Sequence, residues 1–229
     1  MRREQVLVFD ADDTLWENNV VFERVIAQFL GWLDHPALGL PERRAVLDEI
    51  QAANAVTHGY GSGMLIRSFA DCATRLRGRP VTAAETAEIA ALAAVLIDHQ
   101  VELVPGAADT LARLGVRHRL LLLTKGDAEE QRRKIDASGL APYFQALEIV
   151  PEKDDAAYRR LITAYGLDPA ESWMIGNSPK SDILPARRAG MNAVFIPHAH
   201  TWVLEHGEVD ASDPGVLHLG ALTELVDHF

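Results

Sequence analysis

The segment Asp10-Ala11-Asp12-Asp13-Thr14 follows directly on the apolar run Val6-Leu7-Val8-Phe9. Two carboxylates two residues apart on a turn can point into one site. There one can attack an electrophile such as phosphorus while the other handles a proton. The same residues also read as a solvated acidic turn. A calcium loop does not fit: Leu15 stands where that loop needs glycine, and Val21 where it needs a bidentate glutamate.

Three further signals follow other apolar runs in order. Thr124 ends Leu120-Leu121-Leu122-Leu123, where a hydroxyl and the amides after it can hold phosphate oxygens. Lys153 comes just after Leu147-Glu148-Ile149-Val150 and can neutralise charge on a phosphate and its attacker. Gly176-Asn177-Ser178 follows Trp173-Met174-Ile175, and with Asp182 it offers oxygen ligands for Mg²⁺. Each has a plainer alternative: a helix cap for Thr124, a surface lysine for Lys153, an acid at a helix N-terminus for Asp182. His198 and His200, without ligands near them in sequence, read as loop residues.

These residues need a scaffold that brings strand ends together. The four apolar runs, with Ala193 to Ile196, have the near-continuous apolarity of strands covered on both faces. Helix signals lie between them. Asp127 with Glu130 has capping-box spacing ahead of a helix to about Ser138, and Asp154 to Tyr165 is closed by Gly166. Asp168-Pro169-Ala170-Glu171 reads as a further helix start. The alternation predicts an α/β fold with a doubly wound parallel sheet. The stretch 16–101 breaks it. Val20 to Leu33, Pro41 to Ala55 and Thr82 to His99 are helical by period, with Thr82 and Glu85 as a second capping box. The reading is an all-helical insert at 16–101 in a core of 1–15 and 102–229. Gly59-Tyr60-Gly61-Ser62-Gly63 follows a helix, not a strand, so a dinucleotide fingerprint fails.

Composition narrows the partners. A net charge of −11 over 229 residues disfavours nucleic acid polymers and anionic membranes. The most apolar stretch, Ile89 to Ile97, is far short of the ~20 residues of a membrane span. The N-terminus through Phe9 lacks the apolar length of a signal peptide. With Cys72 as the single cysteine, the expectation is a cytoplasmic protein.

Taken together, Asp10-Ala11-Asp12-Asp13-Thr14, Thr124, Lys153 and Gly176-Asn177-Ser178-Pro179-Lys180-Ser181-Asp182 resemble the four signatures of the haloacid dehalogenase-like hydrolases, across Val6 to Ile196. The resemblance implies a Rossmann-like core with a helical cap of the first type. It makes Asp10 the nucleophile that forms an aspartyl-phosphate, and Asp12 the acid and base. Thr124 and Lys153 would hold the phosphoryl group. Mg²⁺ would sit on Asp10, the Asp12 carbonyl, Asn177 and Asp182. Asp12 favours phosphatases, because members resembling true dehalogenases lack it. Two positions depart from the pattern. Asn177 stands where an aspartate is usual, and Lys125 where asparagine often follows the threonine; Lys125 reads as a contact to substrate phosphate or carboxylate, or as a solvent-facing lysine. Tyr60 and Arg67 of the cap, and Asn18 and Asn19 at the first hinge, are the candidate specificity residues. The expected reaction is Mg²⁺-dependent hydrolysis of a small phosphorylated metabolite. A phosphomutase, a nucleotide 5′-monophosphatase and a non-catalytic phosphometabolite-binding protein remain as alternatives.

Overall fold

The computed structural model describes residues 4–98 and 100–229. Six strands form one sheet among them: β1 (Val6–Phe9), β2 (Arg119–Lys125), β3 (Ala146–Val150), β4 (Ser172–Gly176), β5 (Asn192–Phe195) and β6 (Val216–His218). Every pairing is parallel, in the order β3-β2-β1-β4-β5-β6. Nine α-helices accompany it among the described residues. Four lie in or enter the helical insert: α1 (Asn19–Trp32), α2 (Leu40–His58), α3 (Ser62–Arg77) and α4 (Ala83–Asp98). The rest are α5 (Ala107–Leu114), α6 (Ala128–Ser138), α7 (Asp155–Tyr165), α8 (Leu184–Arg188) and α9 (Leu225–His228).

The apolar runs are explained by burial on both faces. Leu7, Phe9, Leu120 and Leu122 pack with Leu111, Leu114, Ile135 and Leu225 on one side. Val6, Val8, Leu121 and Leu123 pack with Tyr158, Leu161 and Ala186 on the other. Strand order reverses at β1: the chain adds β2 and β3 to one flank, then returns to lay β4 on the other. The crevice beyond the carboxyl ends of β1 and β4 is therefore the topological switch point, where ligands of open parallel sheets bind.

The chain divides into a unit of Val20–Gln100 and a unit of Met1–Asn19 with Val101–Phe229. Within the second, the departing and returning connections lie side by side: Glu17 N–H donates to Glu102 O, and Val104 N–H to Leu15 O. The helical unit has its own core, in which Phe29 and Phe69 stack with centroids 4.0 Å apart. The capping box at α4 is reciprocal, with Glu85 N–H donating to Thr82 Oγ and Thr82 N–H to Glu85 Oε2.

Some elements differ from the sequence reading. Asp168–Glu171 does not open a helix. Asp168 accepts from Ala170 N–H and caps a single 3₁₀ turn, Pro169–Glu171, because β4 starts at Ser172. At α6 the cap is the expected one: Asp127 accepts from Glu130 N–H, and Glu130 lies 3.8 Å from Lys134. Unlocated in the sequence were α3, α5, α8, α9 and β6. His99, the last residue of the expected fourth helix, and Met1 to Arg3 of the expected leaderless start lie outside the described residues. No helix among the described residues is long and apolar enough to cross a membrane.

Phe69→Ala opens a cavity beside Phe29 in a closed core. It should cost about 3–5 kcal/mol of stability, whereas Val56→Ala, at a position 90% exposed, should stay within about 0.5 kcal/mol. Urea unfolding of both variants measures the contrast; equal losses contradict the assignment of the core.

Candidate active site

Asp10 is the first residue after β1, and its N–H donates to Ile175 O of the neighbouring β4. The chain then turns tightly, with Thr14, Leu15 and Trp16 N–H all directed at Ala11 O. Asp13 takes the left-handed conformation at φ 63°, which aspartate tolerates better than most side chains. Its Oδ1 accepts from the N–H groups of Asn18 and Asn19. That turn brings Thr14 back under Asp10, where its hydroxyl donates to Asp10 Oδ2 at 2.9 Å and faces Asn177 Oδ1 at 3.4 Å.

Lys153 is buried, not a surface residue. Its ammonium donates to Asp10 Oδ1 and, at 2.7 Å, to Asp182 Oδ1. Burial lowers its proton affinity, but the two carboxylates more than reverse this, and it titrates above the ordinary lysine range. Burial, with Asp182 adding to it, pushes the Asp10 carboxyl up to about 7 against the pull of Lys153. Asp182 Oδ2 accepts from Ser178 N–H at 2.9 Å. That close return requires Gly176: a Cβ there would lie 2.2 Å from Asp182 Oδ2. Tyr158 of α7 is fully buried and donates to Ser181 O at 2.8 Å, supporting the same loop from below.

Asp12 points to a different set of partners. It accepts from Trp16 Nε1 at 2.7 Å, Gln131 Nε2 at 2.8 Å, and Lys134 Nζ at 3.0 and 3.1 Å. Burial acts to raise its pKa, but Lys134, Gln131 and Trp16 outweigh it and hold the carboxyl below its usual range. Lys134 also donates to Asn18 Oδ1 at 2.8 Å. Thr124 is buried at the end of β2 with its hydroxyl on Gln131 Oε1, and α6 is capped by Asp127 instead.

The structure thus brings Asp10, Asp12, Thr124, Lys153, Asn177 and Asp182 to one edge of the sheet. Lys125 is there too, but it does not face solvent: it pairs with Glu205, Ser181 and Glu152. Asn18 and Asn19 are engaged through their amides with Asp13. Tyr60 is half-buried between α2 and α3 of the helical unit, and Arg67 is exposed on α3. Gln131, Lys134, Tyr158 and Glu205 escaped the sequence reading. Gln131 and Lys134 carried a usable signal, since residues three apart on a helix share a face and α6 starts at the site edge.

Two places could hold a metal. Asp10, Asp182 and the Asn177 amide are hard oxygen donors, and two buried acids sharing one ammonium leave negative charge for a cation to neutralise. The donor set fits Mg²⁺. Asp13, Glu17 and His198 also cluster. There the imidazole turns Nε2 to Glu17 at 3.2 Å and Nδ1 to Asp13 at 3.8 Å, which is a bridge between two acids rather than three ligands around one point.

The chain is similar to several known proteins. A model of the haloacid dehalogenase-like hydrolases matches residues 4–190. The phosphoserine phosphatase of Thermus thermophilus is 35% identical over 82 residues, 34% of this chain and 33% of that protein. The N-acylneuraminate-9-phosphatase of Mus musculus is 31% identical over 130 residues, 51% of this chain and 50% of that protein. The chain thus spans a third to a half of the length of these curated relatives. A haloacid dehalogenase-like family hydrolase from Xanthomonas campestris superposes with a TM-score of 0.83 at 26% identity, over 100% of this chain and 95% of that one. With a parallel sheet carrying Asp10, Lys153 and Asp182 at its switch point and a family match over most of its length, the chain belongs to the haloacid dehalogenase-like hydrolases.

Proposed function

We propose that this chain is a phosphatase for small phosphate monoesters, with Asp10 as nucleophile and Asp12 as the proton-handling residue. The observation that carries the reading is the division of labour between the two acids. Asp10 has one oxygen on Lys153 and the other on Thr14. Asp12 is held apart on Lys134, Gln131 and Trp16. The phosphatase names of two relatives support it.

In the first step an Asp10 carboxylate oxygen attacks phosphorus, the bond to the leaving oxygen breaks, and Asp12 supplies that oxygen with a proton. In the second, Asp12 takes a proton from water as the water attacks the aspartyl-phosphate, releasing phosphate and restoring Asp10. Lys153 steadies the attacking carboxylate, and Thr124 turns its hydroxyl to an incoming phosphoryl oxygen. Asp10, the Asp12 carbonyl, Asn177 and Asp182 would hold Mg²⁺, which when bound supplies positive charge against the phosphoryl oxygens. Lys134 keeps Asp12 in the carboxylate form suited to the second step. The substrate is a small phosphorylated metabolite. Tyr60 and Arg67 are the proposed selectors in the insert at 16–101. The setting is cytoplasmic, in keeping with a single buried thiol at Cys72.

Phosphate release from a panel of phosphorylated metabolites and from p-nitrophenyl phosphate tests the activity. Asp10→Asn should lower turnover by about 10⁴-fold or more while the protein stays folded. Asp12→Asn should lower it by about 10²–10⁴-fold on alkyl phosphates and far less on p-nitrophenyl phosphate, whose phenolate leaves without a proton. Equal losses on both substrates contradict the role of Asp12, and wild-type rates for Asp10→Asn contradict the nucleophile.

Proton and cation compete for Asp10, whose carboxyl titrates near 7. Below that pH the group is protonated and the cation must displace the proton. The Mg²⁺ concentration for half-maximal rate should therefore rise by about tenfold per pH unit below ~7 and level off above it. A half-saturation point that does not move between about pH 5.5 and 8 would count against Asp10 as a ligand.

A further inference from the structure

Glu205 lies in the 3₁₀ turn Val203–Glu205, in the segment after β5, more than twenty residues beyond the last sequence motif. Its carboxylate is nevertheless buried at the same edge of the sheet as Asp10. Each of its oxygens is used. Oε1 accepts from Lys125 Nζ, and Oε2 accepts from the hydroxyls of Ser178, at 2.6 Å, and Ser181. The two serines are locked further. Ser178 Oγ accepts from Ser181 N–H at 3.0 Å, and Ser181 Oγ accepts from Lys125 Nζ at 2.8 Å. Each serine hydroxyl in this set both donates and accepts a hydrogen bond, and these bonds converge on the turn from Ser178 to Asp182.

That loop carries Asp182, whose two oxygens go to Lys153 Nζ and to Ser178 N–H. Lys125 ends β2, and the loop follows β4; these strands flank β1 on its two sides. The link Lys125–Glu205–Ser181 therefore spans the end of the strand that presents Asp10. Burying a carboxylate is costly unless a counter-charge and hydrogen bonds meet it. Here the compensation comes from the two loops on either side of the nucleophile, so the group that is held is itself the holder.

We propose that Glu205 is the positioning residue of the Ser178–Asp182 loop, with Lys125 as its counter-charge, and that it acts on catalysis through the placement of Asp182. The proposal rests on the phosphatase reading for its catalytic consequence, but not for the placement itself. The low pKa of Glu205 agrees with it: burial opposes ionisation, and Lys125, Ser178 and Ser181 prevail.

The test compares wild type with Glu205→Gln, and with the double variant Glu205→Gln/Lys125→Met, which leaves no buried ammonium unmatched. Circular dichroism and thermal melting check that each is folded. Hydrogen exchange read by mass spectrometry, without any metal, then reports the amides of Ser178, Ser181 and Asp182. Severalfold faster exchange confined to 178–182 is expected. Calorimetry with Mg²⁺ alone should show affinity weakened by about tenfold, as for loss of an outer partner of a ligand. At saturating Mg²⁺, KM for p-nitrophenyl phosphate should stay within about twofold of wild type, since a positioning residue acts through affinity for the cation. Unchanged exchange at 178–182 in a folded variant overturns the proposal, and so does faster exchange with unchanged Mg²⁺ affinity. A wild type that neither binds Mg²⁺ nor releases phosphate refutes the phosphatase reading instead; the exchange result then decides the placement by itself.

Discussion

The Lys153 ammonium sits buried between the carboxylates of Asp10 and Asp182, and the rest of the site is arranged around that contact. Two acids and one lysine away from water would be prohibitively costly if any were left unmatched. The surrounding backbone and side chains therefore satisfy what remains: Thr14 hydroxyl on the second Asp10 oxygen, Ser178 N–H on the second Asp182 oxygen. One negative charge is still in excess. Burial first, and the Asp182 charge after it, push the Asp10 proton affinity up, and the excess charge makes the place receptive to a cation and then to a phosphoryl group.

The fold supplies the precision this needs. Asp10 is aimed by a strand locked between two parallel neighbours, Lys153 comes from just beyond β3, and Asp182 from the π-helical turn Pro179–Ile183 beyond β4. Ligands on rigid strand ends are placed more accurately than ligands on long loops. The two glycine-dependent and turn-dependent features work to the same end. Asp182 reaches back only because Gly176 has no Cβ, and Thr14 reaches Asp10 only because three amides fold onto Ala11 O. Asp12, two residues from Asp10, is drawn away by Lys134 and Gln131 of α6, so adjacent acids have opposite tendencies to hold a proton.

Much of this was legible in the residues. Five of the six strands, β1 to β5, showed as apolar runs, and Asp10, Thr124 and Lys153 each stand at or just past the end of one. What was not legible depends on approach across long stretches of chain. Glu205 reaches Ser178 and Lys125 from a loop with no pattern of its own, and Tyr158 looks like any core tyrosine of α7. Lys125 could be read as a substrate contact or a solvent-facing residue, but not as half of a buried pair, because its partner lies 80 positions away. The helix α3 was hidden behind Gly59 to Gly63, although Met64, Leu65, Ser68, Phe69 and Cys72 have helical spacing on its buried face. At Asp168 the cap-proline-acid order was real, but a strand starting at Ser172 left room for one turn only.

The central claim is that the Asp10 carboxylate itself attacks phosphorus. Rapid chemical quench during turnover of a phosphorylated substrate, followed by proteolysis and mass spectrometry, tests it most directly. The account predicts one phosphoryl group on the peptide that contains Asp10, localised to that residue, appearing before free phosphate and absent from Asp10→Asn. A phosphoryl group on any other residue, or steady phosphate release with no labelled peptide at any quench time, would contradict it.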